Sequence, residues 1–167
     1  EFGSNDGSQD YIEYAAFYDP RIHLIQNETQ LGLAASLNVG LAAAKGKYIA
    51  RVDVDDPSYP ERLEKQVAFL DANPEITLCG CIQRSITPDS KTIQKVETDV
   101  ESLRAAMIFG CEISHCSVMF RRQYFEEHGL RYDPGALAED YDLWSKILFR
   151  TRLANLNEVL VDHRWGF

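Results

Sequence analysis

Lys47-Tyr48-Ile49-Ala50-Arg51-Val52-Asp53-Val54-Asp55-Asp56 is the stretch on which the reading of this chain turns. Residues 47–52 predict a short buried strand, and three carboxylates crowd its end. Pro57 and a helix start come next. Carboxylates this close repel one another, and one takes up a proton unless a cation compensates them. A hard divalent ion with oxygen ligands is the natural partner. In an α/β sheet, ligands also sit at the carboxyl ends of the strands. The run therefore predicts a metal–phosphate site.

Working outward, Leu33, Leu37 and Leu41, with Ala34 and Ala44, predict an amphipathic helix before the run, ended by Gly46. Further upstream, 22–25 reads as a strand, 11–17 as a short helix, and Asn5-Asp6-Gly7-Ser8 as a turn. Downstream, Ser58-Tyr59-Pro60-Glu61 has the form of a capping box. It opens a helix with Leu63, Val67 and Leu70 on one face, stopped by Asn73-Pro74. Residues 76–82 predict a buried strand, and 83–97 a polar loop or a hairpin around Pro88-Asp89-Ser90. Asp99 caps a helix bearing Leu103, Met107 and Ile108. A strand at 117–120 and a short helix at 122–128, closed by Gly129, follow. Residues 140–150 form a helix with Leu143, Trp144, Ile147 and Leu148 inward, and 153–156 and 159–163 are closing strands. The alternation argues for the α/β class, with a mixed, mainly parallel sheet and helices on both faces.

The chain has 167 residues, enough for one domain, with 45% apolar and 26% charged residues. Its net charge is −9, from 26 acidic against 17 basic residues. That disfavours nucleic acid or an anionic membrane surface as partner. No apolar stretch is long enough to span a bilayer, and no signal peptide is present. Cys79, Cys81, Cys111 and Cys116 lack the spacing of zinc knuckles and read as free thiols in a reducing compartment. Residues 1–4 are either a cloning remnant or the tail of a strand, leaving 5–167 as a single domain.

Five segments, in order, carry a resemblance. They are Asn5-Asp6-Gly7-Ser8, Gly32-Leu33-Ala34-Ala35-Ser36-Leu37-Asn38-Val39-Gly40-Leu41, Ala50-Arg51-Val52-Asp53-Val54-Asp55-Asp56, Ser114-His115-Cys116-Ser117-Val118-Met119, and Glu139-Asp140-Tyr141-Asp142-Leu143-Trp144. Together they resemble the family 2 glycosyltransferases, which have the GT-A, Rossmann-like nucleotide-sugar-binding fold. The resemblance implies metal-dependent, inverting transfer from a nucleotide-sugar, most commonly a UDP-sugar, to a glycan or lipid-linked acceptor. It places this chemistry in polysaccharide biosynthesis on the cytoplasmic side, at the inner membrane face in a full-length protein. Relative to the family the chain starts roughly one β-α unit late. The face so exposed predicts self-association, or a rearranged N-terminus that covers it. The Gln-x-x-Arg-Trp motif of processive members is absent, and His163-Arg164-Trp165 is a faint echo of it.

By the same resemblance, Asp53 and Asp55 form the D-x-D motif with Asp56 beside them. Asp53 leans toward the sugar–nucleotide, and Asp55 and Asp56 toward Mn2+ or Mg2+. In a strand, residues two apart point the same way, so Asp53 and Asp55 would share one ligand. Asp140 is the candidate general base, drawing the proton from the acceptor hydroxyl, and Glu139 is the second catalytic candidate, orienting the acceptor; the other reading of the pair is helix N-terminal acids complementing the macrodipole. Asp6 either contacts the nucleotide base or makes an Asx turn. Asn38 lines the donor pocket or is an exposed helix residue. His115 contacts acceptor or phosphates, or is a structural hydrogen-bonder. Arg51 packs or pairs locally. Trp144 and Tyr141 form an acceptor platform or belong to the core. Two other readings remain. A phosphohydrolase of the haloacid dehalogenase type also places D-x-D after an apolar strand, although Pro57 stands where it wants Thr or Val. A truncated domain could also act as a binding module without turnover.

Overall fold

The computed structural model describes residues 4–165. Most of the segment read as a cloning remnant thus lies outside the described residues. Six α-helices and five strands follow in order: α1 Ser8–Tyr18, α2 Leu33–Ala43, β1 Tyr48–Ala50, α3 Arg62–Ala72, β2 Ile76–Ile86, β3 Lys91–Ile93, α4 Val100–Ala106, β4 Met119–Arg121, α5 Arg122–Glu127, α6 Glu139–Leu148 and β5 Arg152–Arg164. A short 3-10 turn, His115–Ser117, leads into β4.

The sheet is mixed and flanked by helices. Its parallel character is concentrated in the β2–β5 ladder, the longest of the four. The other ladders, β1–β4, β2–β4 and β2–β3, are antiparallel. β2 and β3 are joined by the hairpin expected around Pro88-Asp89-Ser90. Residues 22–25, expected as a strand, lie between α1 and α2 outside the five strands described. The two closing strands are one strand, β5. Between Cys81↔Leu156 and Ile82↔Val159 it bulges out Asn157 and Glu158, which is the break the sequence pattern suggested.

Side chains alternate across the sheet as the pleat requires. Leu78 and Phe120 face a core shared with Leu103 of α4, Phe125 of α5 and Trp144 and Ile147 of α6. Cys79 and Met119 face the opposite core, with Leu70 of α3 and Leu156 and Leu160 of β5. Cys79, Cys81 and Cys116 are free, buried thiols in this second layer.

Three local readings are corrected. Gly46 does not close α2. The helix ends at Ala43, and Gly46 lies beyond it without a left-handed φ. A Cβ on Gly46 would meet the Tyr48 carbonyl oxygen at 2.9 Å, so close approach explains the residue. The capping box does not form, since α3 starts at Arg62, with Glu61 as an N-cap that makes no side-chain cap bond. Residues 57–59 instead pair with β5: Tyr59 N–H donates to Leu160 O at 2.9 Å, and Asp162 N–H to Pro57 O at 2.9 Å. Finally, α3 buries Arg62, Gln66 and Leu70, leaving Leu63 exposed. The predicted cap at Asp99 does form, with Ser102 N–H donating to its Oδ1 at 2.9 Å.

Candidate active site

β1 ends at Ala50, two residues short of the predicted strand. Arg51 N–H still reaches the Val118 carbonyl at 3.0 Å, and the backbone then turns, with Asp56 N–H donating to Asp53 O at 3.2 Å. In a turn, residues three apart converge, so the arrangement differs from the strand geometry expected. Asp53 and Asp56 come together beside Cys116, each offering a ligand atom within 4.8 Å of the others. Asp55 stands on the exposed rim of the turn.

Each carboxylate in this turn has a different partner. Asp53 forms a two-pronged ion pair with Arg51, whose charge compensates it, as the local-pairing reading had it. Asp56 is 2% exposed; its Oδ1 accepts Arg164 N–H at 2.9 Å, and its Oδ2 has no hydrogen-bond partner. A buried carboxylate oxygen without a partner calls for a missing cation or water. The nearest basic group is His163, whose Nε2 lies 3.9 Å away. Burial pushes the Cys116 thiol up to about 12, with Asp56 and Asp53 adding to the effect. It stays protonated, and a hard ion would be left to the carboxylate oxygens. The donor set therefore fits Mn2+ or Mg2+.

Arg62 holds this turn in place and was missed at the sequence level. It is 1% exposed and has no carboxylate partner among the contacts described. Its guanidinium donates to Arg51 O at 2.7 Å, Val118 O at 3.2 Å, Ser58 Oγ at 2.8 Å and Gln66 Oε1 at 3.0 Å. One buried side chain thus ties α3, β4 and the entry to the acidic turn together. Its only local signal was its spacing with Gln66 and Leu70.

Across from the turn lies the start of α6. Asp53, His115, Cys116, Asp140, His163 and Trp165 line one cleft of about 350 Å3. Burial holds the Asp140 carboxyl above the usual carboxylate range, and the neighbouring Glu139 adds to this. Glu139 Oε1 lies 3.3 Å from His115 Nδ1, and His115 Nε2 lies 3.0 Å from the Tyr132 hydroxyl. Asn38 grips Tyr132 at both backbone groups: Nδ2 donates to its carbonyl at 2.8 Å, and Oδ1 accepts its N–H at 2.9 Å. Asn38 therefore braces α2 against this loop.

Asp6 makes the Asx turn, accepting Ser8 N–H at 3.0 Å, and is exposed and not among the cleft residues. Trp144 is wholly buried and belongs to the core, while the Tyr141 hydroxyl donates to Met107 O at 2.7 Å. No helix among the described residues is long and apolar enough to cross a membrane.

The mixed sheet flanked by helices is of the GT-A type, with the acidic turn and the half-buried Asp140 lining one cleft. The chain belongs to the family described as Glycosyl transferase family 2, whose model matches residues 3–129. An uncharacterized glycosyltransferase of Haemophilus influenzae is 34% identical over 96% of this chain and 54% of its own length. The amylovoran biosynthesis glycosyltransferase AmsE of Erwinia amylovora is 30% identical over 86% of this chain and 54% of its own. The chain thus spans about half the length of these relatives. The fold matches S. aureus TarS 1-349 in complex with UDP-GlcNAc at a TM-score of 0.80 and 18% identity, over 98% of this chain and 48% of that one. It also matches the mannosyltransferase PcManGT from Pyrobaculum calidifontis, in complex with GDP-Man and Mn2+, at 0.70 and 21%, over 96% and 45%.

Proposed function

We propose that the cleft carries metal-dependent, inverting transfer of a sugar from a nucleotide-sugar, first of all a UDP-sugar, to a glycan or lipid-linked acceptor. The observation that carries this reading is that Asp53 and Asp140, 87 positions apart in sequence, line one cleft, with Asp56, whose Oδ2 has no hydrogen-bond partner, beside Asp53. Asp56 and Asp53 would hold Mn2+ or Mg2+, with Asp55 on the rim. When bound, the ion would neutralise the diphosphate as it leaves. Asp140 would take the acceptor proton as its hydroxyl oxygen attacks the anomeric carbon. Its partial burial suits that task, because a carboxylate with a raised pKa is a better base. Glu139, tied to His115, would orient the acceptor. A bound TarS complex with UDP-GlcNAc and a PcManGT complex with GDP-Man and Mn2+ support a donor of this class.

Release of nucleoside diphosphate from UDP-GlcNAc, other UDP-sugars and GDP-mannose, with mixed glycan acceptors and Mn2+, tests it. Turnover should rise with pH as Asp140 loses its proton, at a pH above the ordinary carboxylate range. Asp140→Asn should lower kcat about 10²-fold or more, the usual worth of a positioned base. An Asp140→Asn protein of wild-type rate would remove Asp140 from the mechanism.

A further inference from the structure

His115 is 9% exposed, and both of its ring nitrogens are engaged. Glu139 Oε1 lies 3.3 Å from Nδ1, and an oxygen that accepts there favours the ring proton on Nδ1. Burial holds the imidazole down at about 3, with Arg51 adding to it. The ring therefore has one proton, and Nε2 is bare. The Tyr132 hydroxyl is its donor, kept protonated because burial pushes Tyr132 upward as well. Arg51, Tyr132 and Glu139 are the charged and titratable groups named against the ring. The N-cap of α6, Ala138, supplies no side-chain cap bond, so the His115–Glu139 contact ties down a first turn that lacks one.

We propose that His115 is a positioning residue: held in the Nδ1–H tautomer by the Tyr132 hydroxyl, it turns Nδ1–H toward Glu139 and by that contact pins the first turn of α6, and so Asp140, against the cleft. The catalytic meaning rests on the reading of Asp140 as base, but the lock is a property of the folded chain alone. Asn38 extends it to α2: hydrogen bonds run from α2 through Tyr132 to His115, and the His115–Glu139 contact carries the connection to the start of α6.

The test uses no nucleotide. Long-range proton–nitrogen NMR on protein labelled at its four histidines should give His115 a protonated Nδ1 and a bare Nε2 from pH 5 to 8. A carbon-detected titration of Asp140 then separates three variants. The amide of His115→Asn sits where Nδ1–H sits, while that of His115→Gln reaches the place of Nε2. Asp140 should keep its raised midpoint in His115→Asn. It should fall toward the ordinary carboxylate range in His115→Gln and Tyr132→Phe, as the freed turn admits water. An Nε2–H ring, an imidazolium at pH 5, or an Asp140 midpoint unmoved in all three variants would overturn the proposal. An intact lock with no UDP binding would instead count against the donor-site reading and leave the lock standing.

Discussion

At the residue scale, Arg62 decides how the acidic turn is held. Its guanidinium satisfies two backbone carbonyls, Arg51 O and Val118 O, that otherwise face the interior. Burial lowers its affinity for a proton, so the charge is retained at some expense and is balanced by hydrogen bonds rather than a counter-ion. Arg62→Ala should destabilise the fold by about 1–3 kcal/mol, the cost of leaving a buried acceptor without its donor. Arg62→Lys should recover little, because an ammonium cannot span four acceptors set in a plane. Urea unfolding of both variants measures this, and an Arg62→Ala midpoint equal to wild type would refute it. Arg62 was not legible in sequence because the two carbonyls it holds, Arg51 O and Val118 O, lie 11 and 56 positions away. Asn38 is the same case, since its two bonds to Tyr132 span 94 positions and nothing near Asn38 announces them. By contrast, Asp53, His115 and Asp140 were legible because each sits inside a short segment with its own pattern.

At the element scale, β2 and β5 carry the sheet, and Gly80 is where they come closest to overcrowding. A Cβ at Gly80 would lie 2.4 Å from Asn155 Oδ1 and 3.1 Å from Ile113 Cγ2 and Ser117 Oγ. Asn155 has little room to yield, because its Nδ2 bridges Glu97 O at 3.0 Å and Glu112 O at 2.9 Å. Gly80→Ala should therefore cost about 1–3 kcal/mol through overpacking. Thermal unfolding would show it as a lowered Tm, and an unchanged Tm would mean the Asn155 bridge shifts freely. The elements were largely readable from hydrophobic period: the helices α2, α3, α4 and α6 and the strands β1, β2 and β5 fall where expected. What failed was the geometry at their ends. The residues after β1 read as continued strand because Val52 and Val54 alternate with charges. The chain turns there instead, which brings Asp53 to Asp56 rather than to Asp55. The bulge at Asn157 and Glu158 likewise looked like a gap between strands, because pattern alone does not distinguish an interruption from an insertion.

At the scale of the whole molecule, the N-terminal third is packed less completely than the rest. α1 has no buried residue, and Tyr11, Tyr14, Phe17 and Tyr18 are all exposed. β1 pairs with β4 on one side only, and an opening of about 400 Å3 lies between it and the half-buried Leu37 and Leu41 of α2. Apolar surface and a free strand edge together favour association. Light scattering should therefore give a mass that rises with concentration, while a monomer at all concentrations would refute the expected self-association. The well-packed two-thirds, with the sheet between its two cores, holds the acidic turn opposite Asp140. The most direct measurement on that arrangement is calorimetric titration of UDP into the folded protein with Mn2+, with EDTA, and with Mn2+ on Asp56→Asn. The account predicts binding that needs the metal and is lost or strongly weakened without the Asp56 carboxylate. Binding that is equally tight in EDTA, or in Asp56→Asn, would contradict a metal-held nucleotide site at this turn.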